Sequence, residues 1–326
     1  MKIFVTRKIP EPGLKILRKS HTIEVFPYDR IPTKKEIIKG LKGKAGLLCL
    51  LTDPIDKEVI YSELKLKMIA NYAVGYNNID VKTATERGVP VSNTPDVLTD
   101  TTAEMAWALL FSIARRTVEG DRFTRAGKFN GWSPMLMLGR DVSNKTLGVV
   151  GTGRIGAAFA LKSKGFNMNV LYFDENRNVE LEQKLDAKKV DLSKLLEESD
   201  FVSLHVPLVD VTHHMIGEKE LKMMKKDAIL INTSRGPVID EKALVKALKE
   251  KWIFGAGLDV YENEPRITEE LKKLNNVVIQ PHSASATIET RTKMAVVAAE
   301  NMMAGLKDKI PPNCINPEVF NKKRTF

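Results

Sequence analysis

The sequence predicts an α/β chain built from two doubly wound parallel-sheet domains. Three observations carry this: strand-length apolar runs alternate with helical stretches up to about residue 93, a second such series starts at Lys145, and a long helix separates the two. Strands that alternate with helices imply a parallel sheet covered on both faces. In the first series residues 2–6, 22–26, 46–51, 66–73 and 89–92 read as strands, with helices over 11–20, 33–41, 57–64 and 81–87. The separating helix is expected to start near Asp100, where Thr101-Thr102-Ala103-Glu104 has a capping-box pattern, and to end at the basic pair Arg115-Arg116. An irregular stretch over 127–144 follows. In the second series 146–150, 169–173, 201–206, 228–232, 255–259 and 276–280 read as strands. A helix over 288–306 carries Met294, Val297, Ala298 and Met302 at helical spacing and is free to return to the first domain. The expected domains are therefore 1–96 completed by 288–326, and 97–287.

Composition narrows the function classes. With 326 residues, 43% hydrophobic and 28% charged, the chain can fill two real cores and still present an ordinary polar surface. No apolar run approaches the roughly 20 residues needed to cross a bilayer. Lys8 and Pro10 interrupt the start before a signal peptide could form, so a cytoplasmic protein is expected. Cys49 and Cys314 lie far apart with neither disulfide nor metal spacing, and Cys49 sits in an apolar run where a thiol acts as a small hydrophobe. The formal charge of +10 comes from scattered pairs such as Lys34-Lys35 and Lys225-Lys226, and from Lys322-Lys323-Arg324. No basic cluster is interleaved with aromatics, which argues against a nucleic-acid partner. A spread of lysines is a solvated surface that also helps attract anions.

Leu147-Gly148-Val149-Val150 leads into Gly151-Thr152-Gly153-Arg154-Ile155-Gly156, then a helical run, then a strand ending in Phe173-Asp174. Alone, three glycines at this spacing say little; between a strand and a helix, with an acid at the next strand end, they mark a Rossmann-type dinucleotide site. Gly151 permits the tight turn, Gly153 lets backbone approach a pyrophosphate, and Gly156 lets helix and strand pack closely. The helix N-terminus offers unpaired amides to the phosphates. Asp174 stands where a carboxylate accepts hydrogen bonds from the adenosine ribose, which favours NAD. Arg177 follows closely, and an arginine past this strand end is what NADP sites use. Asp174 is expected to prevail, with Arg177 swinging into water.

Ligands of parallel α/β sheets lie beyond the carboxyl ends of the strands. Arg235 follows the strand over 228–232, Glu262 and Glu264 follow 255–259, and His282 follows 276–280. A guanidinium can grip carboxylate and carbonyl oxygens, an imidazolium can protonate an oxygen as hydride arrives at carbon, and a carboxylate behind the ring fixes its tautomer. Either glutamate could be that acid. His213-His214 lack the spacing of a two-histidine zinc helix, His205 has no obvious partner, and no metal is required by this chemistry.

On Gly151–Gly156 with Asp174, on 232–236, 257–265 and Pro281-His282, the chain resembles the D-isomer-specific 2-hydroxyacid dehydrogenases over nearly its whole length. Asn71-Tyr72-Ala73-Val74-Gly75-Tyr76-Asn77-Asn78-Ile79-Asp80 and Asn93-Thr94-Pro95-Asp96-Val97 are similar to the glyoxylate and hydroxypyruvate reductase branch. The resemblance implies Arg235, Glu264 and His282 as substrate arginine, orienting acid and acid–base. It implies cofactor contacts from Thr102, Gly151, Gly153, Arg154, Ile155, Gly156, Asp174, Thr233, Ser234, Asp259 and Ala284. Val74 and Gly75 would hold the substrate carboxylate. Where the family usually has a small apolar pair after the histidine, this chain has Ser283-Ala284.

The expected function is thus hydride transfer between NADH and a small 2-keto acid, in a cleft between the domains. The alternatives are a phosphoglycerate-type dehydrogenase of the same family and a dinucleotide-gated binding protein of the corepressor kind. Trp132, Met135, Leu136 and Met137 form an apolar patch that a monomer gains little by exposing. A homodimer is expected through this segment and the helix from Asp100, with Trp132 helping to close the partner's substrate pocket. The other reading is a loop folded onto its own core.

Overall fold

The computed structural model describes residues 1–321. It divides into two compact units, one of Met1–Leu98 with the chain from Ala286 onward, the other of Thr99–Ser285. Lys322-Lys323-Arg324 and the rest of the expected tail lie outside the described residues.

The first unit alternates β1 (Lys2–Val5), α1 (Glu11–Arg18), β2 (Thr22–Val25), α2 (Lys34–Leu41), β3 (Gly46–Leu50), α3 (Lys57–Tyr61), β4 (Met68–Tyr72), α4 (Val81–Glu86) and β5 (Val91–Ser92), and adds the helix Ile288–Leu306. Its five strands are parallel in the order β2-β1-β3-β4-β5. Every residue of β4 is buried, as expected for a strand covered on both faces. Helix starts follow local chemistry. Thr33 and Glu36 form a capping box on α2, and Asp56 and Asp80 accept the first free amides of α3 and α4. Beyond β5 the sheet edge is closed by a later segment: the Ile315 amide donates to the Val91 carbonyl at 2.8 Å, and Asn316 Oδ1 accepts from the Val91 amide at 2.7 Å.

The second unit starts with α5 (Thr99–Ala114) and α6 (Thr117–Arg125). There follow β6 (Thr146–Val150), α7 (Arg154–Lys162), β7 (Asn169–Phe173), α8 (Val179–Leu185), β8 (Lys188–Lys189), α9 (Leu192–Glu198) and β9 (Phe201–Leu204). The series closes with α10 (Glu218–Met223), β10 (Ile229–Asn232), α11 (Glu241–Lys249), β11 (Gly255–Leu258), α12 (Glu269–Lys273) and β12 (Val277–Ile279). All seven strands are parallel, in the order β12-β11-β10-β9-β6-β7-β8. The order reverses between β6 and β9, which makes the crevice beyond their carboxyl ends the switch point of a Rossmann-type sheet. Apolar side chains from α5, α7 and the strands fill one face, and those of α9, α10 and α11 fill the other.

Three local expectations change. Helix α5 begins at Thr99, so Thr101 and Glu104 lie inside its first turns instead of forming the cap. The helix ends at Ala114 because Arg116 takes the left-handed conformation (φ 52°), and α6, which the apolar pattern does not mark, starts directly after it. The two-residue β8 was also not visible as a strand. Neither cysteine forms a disulfide among the described residues, and the Cys49 thiol is buried and pushed up by that burial. Among the described residues no helix is long and apolar enough to cross a membrane.

Asn316 is almost fully buried and also donates to the Val89 carbonyl at 3.0 Å and the Thr85 hydroxyl at 2.9 Å. Asn316→Ala strands two buried backbone groups, the Val91 amide and the Val89 carbonyl, at about 1–3 kcal/mol each where water cannot replace the lost partner. The expected result is a hydrogen-exchange protection of the Val91 amide reduced by at least about tenfold, with strands β6 to β12 unaffected; unchanged protection would mean the edge is closed by Ile315 alone.

Candidate active site

The turn after β6 is held open by its glycines. Gly151 has φ 88°, and a Cβ on Gly156 would lie 1.9 Å from the Gly151 carbonyl oxygen, so neither position accepts a side chain. Gly153 caps α7 without any side-chain hydrogen bond, and the space in front of it is empty. Free helix amides facing an open cradle fit a pyrophosphate. Arg154 is exposed and Ile155 half-buried at this helix start. His205, behind the turn, does have a partner: Ser203 Oγ lies 2.9 Å from Nε2, and burial pushes the ring down to about 3, so it is neutral.

Asp174 leaves the end of β7 and is tied to the same turn. Its Oδ2 accepts from the Thr152 amide at 2.7 Å and hydroxyl at 3.1 Å, and Oδ1 accepts from the Asn176 amide at 3.1 Å. Burial pushes the carboxyl up, but these donors outweigh it and hold the group below the usual carboxylate range. Asp174 is therefore ionised, with lone pairs to spare for a diol. Arg177 does not swing free as expected: its guanidinium is paired with Glu182.

Three neighbouring strands deliver the other polar groups. At the tip of β10 the buried Asn232 accepts from the Ser234 amide and hydroxyl at 2.9 and 2.8 Å and donates to the Arg235 carbonyl at 2.9 Å, closing a tight turn that presents Arg235. The next residue, Gly236, lies so close to the β11 loop that a Cβ would meet the Tyr261 carbonyl at 1.9 Å. In that loop the Tyr261 amide donates to Glu264 Oε1 at 3.0 Å, and the Tyr261 hydroxyl donates to the Gln280 carbonyl at 2.6 Å, stitching the loop to the end of β12. His282 then meets Glu264: Nδ1 lies 2.8 Å from Oε2. Its φ of 54° is unusual for a residue with a side chain, an outlier of the kind found where a functional group is aimed.

The pairing settles which glutamate stands behind which ring. Glu262 goes to His214, at 3.0 Å from Nε2, and to the Glu241 amide at 3.1 Å. Burial works against ionisation of Glu264, but the His282 hydrogen bond and charge prevail and keep the carboxyl below its usual range. Burial likewise lowers Arg235 from its ordinary value, which Glu264 partly offsets.

Asp259 is fully buried and acts on backbone. Its Oδ1 and Oδ2 accept from the Ser283 and Ala284 amides, both at 2.7 Å. Burial raises its carboxyl above the usual range despite these donors. The backbone amides of Ser283 and Ala284 thus anchor the residue before them, whatever side chains the pair carries. Buried Thr233 Oγ1 has no hydrogen-bond partner, a polar group left over at the strand ends where a ligand can satisfy it. Thr102 is buried in the first turn of α5. Trp132 is 85% exposed and Met135 74%, while Leu136 and Met137 are half-buried.

In the first unit Val74 and Gly75 follow β4. Asn93 donates to the Val74 carbonyl at 2.8 Å and Asn71 to the Gly75 carbonyl at 2.9 Å. With both carbonyls occupied, the turn is fixed while its amides have no acceptor among the described residues, a local arrangement that suits a carboxylate. Asn71, Asn232, Thr152 and Tyr261 are positioning groups that sequence reasoning missed. The only signal was a polar residue inside or just beyond an apolar strand.

Residues 107–284 match the model of the family described as D-isomer specific 2-hydroxyacid dehydrogenase, NAD binding domain. A glyoxylate reductase of Korarchaeum cryptofilum is 56% identical over 320 residues, which are 98% of this chain and 96% of that one. The solved structure of the TT0316 protein from Thermus thermophilus superposes with a TM-score of 0.92 at 42% identity, covering 97% of this chain and all of that one (100%). An NADPH-dependent glyoxylate/hydroxypyruvate reductase from Sinorhizobium meliloti, solved with NADP and malonate, gives a TM-score of 0.88 at 28% identity, over 100% of this chain and 99% of its own.

Asp259→Asn keeps the size of the side chain but turns one acceptor into a donor facing an amide. Hydrogen bonds to a charged group contribute about 1.5–3 kcal/mol each, so exchange at the Ser283 and Ala284 amides is expected to quicken by roughly 10- to 100-fold. Exchange at the parental rate would show that the His282 loop is held by other contacts.

Proposed function

This chain belongs to the D-isomer specific 2-hydroxyacid dehydrogenases, and on that premise we propose that it transfers a hydride between NADH and a small 2-keto acid of the glyoxylate or hydroxypyruvate kind. The observation that carries this reading is the His282–Glu264 pair at 2.8 Å, at the strand ends that also present Arg235. When bound, the nicotinamide supplies the hydride to the carbonyl carbon. His282 delivers the proton to the carbonyl oxygen from Nε2, the ring nitrogen that Glu264 leaves free, and recovers it in the reverse direction. Glu264 holds the other nitrogen, which fixes the orientation and tautomer of the ring. Arg235 grips the carboxylate and carbonyl oxygens with paired donors. The amides of Val74 and Gly75 are the donors that the first unit offers to a carboxylate.

NADH is the preferred reductant on this reading. A 2′-phosphate would face the ionised Asp174, and two like charges a few ångströms apart in a partly shielded site cost on the order of several kcal/mol before solvent screening. The Sinorhizobium relative is NADPH-dependent, so this preference belongs to the residues of this chain's own β7 loop. We also assign the exposed Trp132 and Met135 to a contact with a second copy, in which Trp132 borders the partner's substrate. Sedimentation at micromolar concentration is expected to show a dimer, and Trp132→Ala to change the ranking of keto acids; a monomer throughout would remove both roles.

His282→Asn is expected to lower kcat of keto-acid reduction by about 10²- to 10⁴-fold with little change in NADH affinity, and Arg235→Ala mainly to raise KM. Glu264 is tested through its own charge. Its carboxyl is depressed, so it is ionised throughout the neutral range and accepts from the ring. Glu264→Gln replaces that charged acceptor by a neutral one and is expected to lower kcat by about tenfold or more with NADH affinity unchanged. Near-normal turnover of His282→Asn or of Glu264→Gln would sink the assignment.

A further inference from the structure

The loop after β7 contains a cation that a 2′-phosphate could use. Arg177 lies three residues past Asp174, in the stretch where arginines accommodate that phosphate. In this chain the guanidinium is turned toward α8 instead. Nη2 donates to Glu182 Oε2 at 2.5 Å and Nε to Oε1 at 3.2 Å, a two-point grip. Most exposed ion pairs contribute little because both side chains must be ordered to form them. Here one partner is already ordered. The Tyr172 hydroxyl, carried on a fully buried side chain of β7, donates to Glu182 Oε1 at 2.5 Å, and Glu182 is only 20% exposed while Arg177 is 72% exposed. Between them Asn178 caps α8 and donates to the Thr152 carbonyl at 3.0 Å, which fastens the loop to the glycine turn.

We propose that Glu182 is a specificity-determining residue for the nucleotide: fixed by Tyr172, it holds Arg177 against α8 and withholds that cation from a 2′-phosphate. The inference rests on the NADH reading above and deepens it. Asp174 repels the phosphate, and Glu182 removes the group that could compensate. Arg177 and Tyr172 hold the Glu182 carboxyl down at about 2, so the grip persists through the neutral range.

The test measures binding, without turnover. Dissociation constants of NADH and NADPH for the full chain are read from nucleotide fluorescence with no keto acid present. Glu182→Gln keeps the acceptor for Tyr172 and removes the charge. It is expected to tighten NADPH by about fivefold or more while NADH changes by less than about twofold. The gain is expected to vanish in Glu182→Gln combined with Arg177→Ala, and to recur, smaller, in Tyr172→Phe. An unchanged NADPH constant in Glu182→Gln, or a gain that survives Arg177→Ala, overturns the proposal. If Glu182→Gln does not fold, Glu182→Asp, whose shorter reach breaks the two-point grip, is read on the same scale. The unmodified chain reports separately on the underlying reading: equal affinity for both nucleotides would refute the NADH preference. In that case Arg177→Ala alone decides the clamp, since lost NADPH affinity means that Arg177 already reaches the phosphate, and unchanged affinity means that it is held away.

Discussion

Because β10, β11 and β12 run parallel and in register, with Asn232 opposite Leu258 and Leu258 opposite Ile279, three loops leave the sheet side by side. The rest of the site depends on that constraint. Arg235, Glu264 and His282 come from loops far apart in sequence, and only the shared edge brings them near one another. The loops are then locked by short-range contacts: Asn232 across its own turn, Tyr261 between two loops, and Asp259 on the amides after His282. A sheet edge supplies the approximate position, and buried polar groups supply the last ångström.

Asp259 shows how this is done with a charged group. A carboxyl in the interior is costly unless its lone pairs find donors, and two amides at 2.7 Å, one on each oxygen, offset part of that cost. The result is a fixed point next to a residue whose backbone is in the left-handed region. The conformational cost at His282 is of the order of 1–3 kcal/mol for such positions, and the neighbouring anchor offsets it. Glu264 works in the opposite direction, keeping its charge through its contact with the His282 ring.

Much of this was legible in the sequence. Buried parallel strands are apolar runs, so eleven of the twelve strands in the two sheets were marked in the sequence by composition and spacing, β5 among them though longer than it is. The missed strand and the shortened one are instructive. Strand β8 is the lysine pair Lys188-Lys189 on a sheet edge, where solvent replaces the core and no apolar run is needed. Strand β5 has only two residues, and residues 314–316 line its other side. The break at Arg116 depends on one left-handed residue that no pattern of hydrophobicity encodes. At the site, residue types at strand tips singled out the candidate groups, but Glu262 and Glu264 could not be told apart. Two positions separate them in the chain, and only the path of the loop decides which ring each one meets. The Arg177–Glu182 grip was hidden for the same reason, since an arginine in a loop looks free until its partner on the next helix is located.

The first unit is made of two pieces of chain separated by the whole of the second. Helix α1 packs against Ile288–Leu306 so closely that a Cβ on Gly13 would meet the Ala295 carbonyl at 2.4 Å, and the β5 edge waits for Asn316. During synthesis on the ribosome, residues 1–98 emerge early but lack these partners until nearly 200 further residues have followed. The second unit has all of its strands before that moment and is free to fold as the chain is extended. The order of assembly is therefore the reverse of the order of sequence: the half translated first is the half completed last, and its exposed β5 edge has to be kept from pairing with other nascent chains for the whole interval.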